Sequence, residues 1–440
     1  MSEEFLLAGS GFGALLLLIA LRAPVGLAML LVGAFGYQHI VGWEVLANYL
    51  KATPWHLFAS YTFSVIPLFI LMGAIAERGG LAGDLFTAAQ ALAGRRRGGL
   101  AIGVIGACAA FGAVCGSSVA TTATFGRAAL PELRRHGYEP GLATGTIAAG
   151  GTLGILIPPS VILVVYAIST EQNIAKLFMA ALLPGLLAAL LYIAAILVLA
   201  RRRPEAMPPA PALSAAGRRA ALRAVLPVLA IAIVVVGGIY GGIFTPTESA
   251  AIGVVATLAV ALLRGSLGLS GLWQAVRGTA ETTAMIFVIL LGAEVFNAFL
   301  ALTQAPDLLA LWIAEQSLPA YGILALLLLS YVVLGAVMDE LAMILLTLPI
   351  FFPVVTALDF GLAPDETAIW FGVLVLVVVG IGLTAPPIGL NVFVVAALAR
   401  DVPMARIYRG VLPYLAMDVA RLLLCAAFPG LSLALVRWLG

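Results

Sequence analysis

Charge is scarce in this sequence. Only 10% of its 440 residues are Asp, Glu, Lys or Arg, against about a quarter in an ordinary soluble domain. That excludes a solvated domain of any size, and with it a basic surface for nucleic acid. Lysine is nearly absent, at Lys51 and Lys176 alone. The three cysteines, Cys108, Cys115 and Cys425, lie in apolar segments and lack metal-ligand spacing, which excludes a disulfide framework and a zinc site. The three histidines, His39, His56 and His136, are scattered and suggest neither a proton relay nor a metal centre. No glycine-rich phosphate loop follows a strand, so nucleotide hydrolysis is not expected. Strict alternation of apolar and polar residues is missing too, which excludes a membrane barrel.

What the chain has is apolar length. It is 63% hydrophobic, with a mean hydropathy of +1.13. A spanning helix needs roughly 20 mostly apolar residues, and such runs recur at 5–21, 24–41, 59–77, 141–169, 174–200, 224–240, 247–263, 282–302, 366–399 and 411–436. The fold class is therefore an all-α polytopic membrane protein whose principal environment is the lipid bilayer. The opening "MSEEFLLAGS" lacks the basic start of a cleaved signal and is taken with the first span. Stretches 81–94 and 270–278 read as short interfacial amphipathic helices.

Two further apolar stretches, 98–130 and 321–355, are too long for one span and carry polar residues at their midpoints. At 1.5 Å per residue each half reaches roughly 24 Å. That suits a re-entrant hairpin whose non-helical tip is buried in protein or lines an aqueous cavity. Arginine clusters at 95–97, 134–135, 201–203 and 218–219 are expected on the cytoplasmic side. The first hairpin then opens inward, the second outward, and both termini lie outside. The Pro-, Ala- and Arg-rich segment 201–223 reads as a cytoplasmic linker between residues 1–200 and 224–440.

These two parts repeat each other. "RAPVGLAML" around Pro24 answers to "FTPTESAAI" around Pro246, "LFILMGA" (68–74) to "FVILLGA" (287–293), and "GAVCGSS" (112–118) to "GAVMDE" (335–340). Pro131 answers to Pro353, "ILIPPSVIL" to "LTAPPIGLN", and "AKLFMAALLPG" to "ARIYRGVLPY", all in order. With the charge pattern, the expectation is an inverted-topology repeat. In spans 141–169 and 366–399, Pro158-Pro159 and Pro386-Pro387 remove backbone donors and block the helical ladder. Gly151 and its glycine neighbours permit unusual backbone angles. Each span is thus expected to break near mid-membrane and to meet the tip of its own hairpin. Freed carbonyls there suit a cation, and half-helix N-termini suit an anion.

"CGSSVATTATFGRAALPEL", "GGTLGILIPPSVILVVYA", "GIFTPTESAAI", "MDELAMILLTLPIFFP" and "GLTAPPIGLNVFVVAAL" together resemble the large membrane subunit of the TRAP transporters, the tripartite ATP-independent periplasmic transporters. The resemblance runs over nearly the whole chain. It implies a multi-pass permease of the bacterial inner membrane, moving by an elevator mechanism. It also implies a small four-helix membrane subunit and a periplasmic substrate-binding protein as partners, with no cofactor beyond sodium as coupling ion. A small organic anion, a carboxylate or related zwitterion, is the implied cargo. The chain opens directly on the first span, so the small subunit is expected as a separate protein.

Ser117, Ser118 and Thr121 at the first tip offer hydroxyl and carbonyl oxygens to a hard cation; helix packing is the other reading. Thr152 and Ser160 at the first break are open in the same way. Asp339 and Glu340 put carboxylates inside an apolar hairpin, where ionisable groups are costly and mark function, although Glu340 also suits a helix N-terminus. Thr384 and Asn391 flank the second break, where Asn391 either orients substrate or satisfies unwound backbone. The expected ion and substrate site is completed by Gly151, Pro158 and Pro386, with sodium at Ser117, Ser118, Thr152, Asp339 and Thr384. Glu248 is expected to cap a helix after Pro246. Asp418 and Arg421 are expected to form a local pair. Three alternatives stay open: a stand-alone sodium/divalent-anion symporter, an intramembrane enzyme and a passive channel.

Overall fold

The computed structural model describes residues 3–93, 95–210, 214–306, 308–309, 318–335 and 338–439. Among these the regular structure is helical throughout. The first half contains α1 (Glu3–Ala20), α2 (Val25–Val41), α3 (Trp43–Phe58), a 3-10 turn at Tyr61–Ser64, α4 (Val65–Arg78) and α5 (Leu81–Ala93). The first hairpin follows as α6 (Gly99–Cys115) and α7 (Ser118–Arg135), then the broken pair α8 (Pro140–Leu156) and α9 (Val161–Ser169), then α10 (Ile174–Arg202). The second half runs α11 (Ala215–Tyr240), α12 (Pro246–Leu263) and α13 (Leu269–Leu302). Its hairpin is α14 (Ala320–Gly335) and α15 (Glu340–Thr356), its broken pair α16 (Pro364–Gly382) and α17 (Leu390–Leu398), and it ends on α18 (Met404–Ala427) and α19 (Gly430–Leu439). Residues 336 and 337 of the second tip lie outside the described residues.

Seven of the described helices are long and apolar enough to cross a membrane, or eight with α8 and α9 taken as one span bent by 43°. Many large apolar side chains face outward: Leu17, Phe35, Ile233, Val255, Leu262 and Leu326 are all exposed. A water-soluble surface rarely carries so continuous an apolar patch, whereas lipid demands one. The molecule is a polytopic membrane protein.

Three expectations about the elements need correction. Helix α3 was not expected, because Glu44, Lys51 and Pro54 dilute its apolar pattern. Stretch 270–278 is no separate helix but the first turns of the 34-residue α13, which contains no proline to interrupt it. The expected span 411–436 divides at Phe428, because Pro429 supplies no backbone donor to continue the ladder. The capping expectation for Glu248 holds: Thr245 and Glu248 form a reciprocal capping box at the start of α12.

The two halves pack by exchange. α2 lies on α13 while α12 lies on α4; α8 lies on α18 while α16 lies on α10; α7 lies on α17 while α9 lies on α15. Small residues let these backbones approach, as lipid-embedded helices require. A Cβ added at Gly33 of α2 would lie 2.6 Å from Cα of Phe296 in α13. One added at Gly145 of α8 would lie 2.8 Å from the Val411 nitrogen in α18.

The arginine-rich connections meet at one end of the molecule. There Gly98 N–H donates to the Met207 carbonyl (3.1 Å) and Glu139 N–H to the Ala206 carbonyl (2.9 Å). Arg134 pairs with Asp401 at 2.7 Å and Arg406 with Glu139 at 2.6 Å. The Arg134 hydrogen bond holds the Asp401 carboxyl below its ordinary range. Since α10 runs to Arg202 and α11 begins at Ala215, the connection between the halves is shorter than 201–223.

Gly33→Val should force α2 away from α13 and cost about 1–3 kcal/mol, the usual penalty of overpacking. Gly13→Ala meets no atom within 4 Å and should be neutral. Thermal unfolding of the detergent-purified variants tests both; an unchanged midpoint for Gly33→Val would refute the close-packing assignment.

Candidate functional site at the hairpin tips and helix breaks

The first tip rests on the first break. Gly116 closes α6 with φ of 64°, a left-handed backbone that glycine adopts without strain. A Cβ there would lie 2.8 Å from the Pro159 carbonyl oxygen. Ser117 caps α7, its hydroxyl accepting from Ala120 N–H at 3.3 Å. The Ser117 carbonyl accepts from Thr121 N–H at 3.1 Å and from the Thr121 hydroxyl at 2.7 Å. A Cβ at Gly154 of α8 would stand 2.6 Å from that same carbonyl. Ser160 caps α9 toward Leu163. Each break contains a cis peptide, Pro158-Pro159 and Pro386-Pro387.

The second break reaches the same place. Gly389 turns the chain with φ of 57°, and Asn391 N–H donates to the Leu383 carbonyl at 3.0 Å. The fully buried Asn391 side chain donates from Nδ2 to the Ser118 hydroxyl at 2.8 Å and to the Ala148 carbonyl at 3.1 Å. The Ser118 hydroxyl lies 3.1 Å from Asn391 Oδ1. A Cβ at Gly151 would lie 3.1 Å from Asn391 Nδ2 and would overlap the Thr122 hydroxyl. One amide therefore ties the second break to the first tip and the first broken helix. On its outer side the break is held by Tyr408, whose hydroxyl lies 2.9 Å from the Pro387 carbonyl and 2.7 Å from that of Ile388.

Ser117, Ser118, Thr121, Gly151 and Asn391 thus converge, with Pro158 and Ser160 in the break that the tip touches. The other expected residues are engaged elsewhere. The Thr152 hydroxyl donates to the Ala149 carbonyl at 2.7 Å and faces Tyr192 at 3.1 Å. The Thr384 hydroxyl, near Pro386, bonds back to the Ile381 carbonyl at 3.2 Å. Asp339 stands at the N-terminus of α15, where its side chain makes no capping bond. It lines an apolar cavity of about 420 Å³ against Pro24, Gly26, Met285 and Ile289. Asp339 Oδ2 and Glu340 Oε2 are buried without hydrogen-bond partners. Gly335 of this hairpin touches Gly382 of α16, so the second tip also meets its own broken helix.

Two residues carried no sequence signal, Thr122 and Tyr192. Thr122, one hydroxyl in a threonine-rich run, is buried at Gly151 without a partner. The expected pair of Asp418 and Arg421 is present at 2.9 Å, 1% and 0% exposed. Tyr192 joins it, donating to Asp418 Oδ2 at 2.6 Å and reaching Thr152 on its other side. Spacing along α18 reveals the ion pair; only the fold brings Tyr192 from α10. Among the described residues no group of three or more His, Cys, Asp or Glu gathers to hold a metal.

Residues 12–431 match the family model described as the tripartite ATP-independent periplasmic transporter, DctM component. The chain belongs to that family. It is 38% identical over 381 residues to the C4-dicarboxylate TRAP transporter large permease protein of Pseudomonas aeruginosa, covering 86% of this chain and 87% of that one. It is 32% identical to the ectoine/5-hydroxyectoine TRAP transporter large permease protein of Ruegeria pomeroyi, covering 84% and 85%. In fold it is similar to the YdaH transporter of Alcanivorax borkumensis, with a TM-score of 0.61 and 18% identity over 88% of this chain and 90% of that one. The protein is a TRAP large permease subunit and not an enzyme.

Asn391→Ala would leave the buried Ser118 hydroxyl without its partner, at a cost of about 1–3 kcal/mol. Its unfolding midpoint should fall, and transport should drop at least tenfold at normal membrane abundance. Wild-type transport by this variant would show that the bridge is not part of the working site.

Proposed function

We propose that this chain imports a small organic anion, a carboxylate or related zwitterion, across the bacterial inner membrane on a sodium gradient. It works with a small four-helix membrane subunit and a periplasmic binding protein. The observation that carries this reading is the Asn391 bridge, which gathers two symmetry-related broken segments and a hairpin tip at one buried point. Broken helices meeting near mid-membrane are how secondary transporters build ion and substrate sites. The helix exchange between the halves supports an inverted repeat. In the elevator motion the hairpins and broken helices would slide against the α2–α13 and α4–α12 pairs.

In this reading sodium is held by oxygens at Ser117, Ser118 and Thr121 near the first break, and by Asp339 at the second tip. Thr152 and Thr384 act from behind, their hydroxyls holding helix carbonyls. Asp339 and Glu340 carry unpartnered oxygens, the state expected of carboxylates awaiting a cation. The large permeases of Pseudomonas aeruginosa and Ruegeria pomeroyi are named for different cargoes, a C4-dicarboxylate and ectoine/5-hydroxyectoine, which supports a small organic cargo and leaves its identity open.

Proteoliposomes holding this chain and its small partner should take up cargo only with both an inward sodium gradient and the binding protein. Uptake by this chain alone would favour a stand-alone symporter. Asp339→Ala should abolish uptake while insertion is retained. Ser117→Ala combined with Ser118→Ala should raise the sodium concentration for half-maximal uptake, and an unchanged titration would return both residues to packing.

A further inference from the structure

A cavity of about 610 Å³ opens between the end of α4, the start of α5 and the second arm of the first hairpin. Its walls include Glu77, Arg78, Gly83, Thr124 and Arg127. Arg127 pairs with Glu77. Arg78 donates from Nη1 to the neutral Gln274 Oε1 at 2.6 Å, so its charge is not compensated there. Asp84, the next acid along α5, is already held by Arg264. The cavity therefore carries net positive charge, two guanidinium groups against one carboxylate. The N-terminus of α5 adds the positive end of a helix through Ala82 and Gly83. Thr124 is buried to 7% exposure in its wall, with a hydroxyl that has no partner.

The two arginines do not recur in the second half. In the register that sets Leu68–Ala74 on Phe287–Ala293, Arg78 falls on Asn297. In the register that sets Pro131 on Pro353, Arg127 falls on Pro349. Asn297 and Pro349 line a cavity of about 200 Å³ between α9, α13 and α15, whose other polar residues are Ser169 and Thr170. Only these two positions carry over to that cavity, and both are uncharged there. The guanidinium groups belong to one end only.

That end is the arginine-rich one. Along α7, Thr124 stands six residues from Ser118, roughly 9 Å at 1.5 Å per residue, and Arg127 follows on the same face. The cavity thus lies between the first tip and the arginine-rich surface. We propose that it is a carboxylate subsite, in which Arg127 exchanges Glu77 for an anion that Arg78 and Thr124 also hold. The assignment of that anion as cargo leaving the tip rests on the transport reading above; a resident cellular carboxylate would use the same chemistry.

The test uses the full-length chain in nanodiscs, in potassium buffer without sodium or partners. Saturation-transfer NMR follows binding of succinate and of its neutral isostere succinamide. Wild type should bind succinate saturably and succinamide not at all. Arg127→Gln should weaken succinate by about tenfold, the scale of a lost charge-assisted hydrogen bond. Glu77→Gln should strengthen it several-fold, because Arg127 is released. Equal weakening by both would mean that the pair only joins α7 to α4, and would overturn the proposal. So would binding that ignores Arg127→Gln, or no saturable binding. These readouts need no transport, so absent sodium-driven uptake would fail the transport reading and leave the subsite standing. In proteoliposomes, uptake that slows in Arg127→Gln in step with its weakened succinate binding marks a carboxylate in transit, and uptake unchanged by that substitution marks a resident one.

Discussion

An interrupted helix inside hydrocarbon has only protein to satisfy its backbone, and the rest of this structure follows from that constraint. Each break exposes carbonyls and N–H groups that no lipid can accept. At the first break, Ser160 caps the helix that resumes and the glycine-closed hairpin tip covers the Pro159 carbonyl. At the second, Asn391 folds its own N–H back to Leu383, and Tyr408 faces the Pro387 and Ile388 carbonyls. The hairpins are thus the covers of the breaks, which is why tips and breaks come together and why polar side chains concentrate there.

The second consequence is close backbone packing. Lipid removes the hydrophobic drive between helices, so contact area and hydrogen bonds must hold them. Glycines on α2 and α8 bring whole backbones together across the two halves. The buried Asp418–Arg421 pair, with Tyr192 and Thr152, adds a polar connection through α18, α10 and α8. Such a pair is weak evidence for stability in itself, because desolvation opposes the attraction. Its geometry does fix which faces of three helices meet, and one of them carries the first break.

Spans, hairpins and breaks were legible because each has a local cause: apolar length, a polar midpoint, or a Pro-Pro pair beside glycine. Asn391 was visible as a polar residue beside a break, yet its partners Ser118 and Ala148 lie in the other half of the chain, and no spacing rule links them. Thr152 looked equivalent to Ser117 in sequence and points instead to Tyr192. Helix α3 was hidden because Glu44, Lys51 and Pro54 lower its hydropathy. The split at Pro429 was the opposite case, a local signal outweighed by the apolar residues around it.

The charge balance of the tip region bears on what it carries. A bare carboxylate moved into a low-dielectric interior meets a desolvation cost of several kcal/mol, even after relaxation. A fixed guanidinium would offset it, but Arg421, the one fully buried arginine among the described residues, is already paired with Asp418. The first tip offers only neutral oxygens at Ser117, Ser118 and Thr121, and the second offers two carboxylates, Asp339 and Glu340. Such a set offers an anion no positive charge of its own. On the proposed transport reading, sodium would then be a physical condition for binding the cargo as well as a source of driving force, because a site built this way cannot load an anion cheaply without its ion.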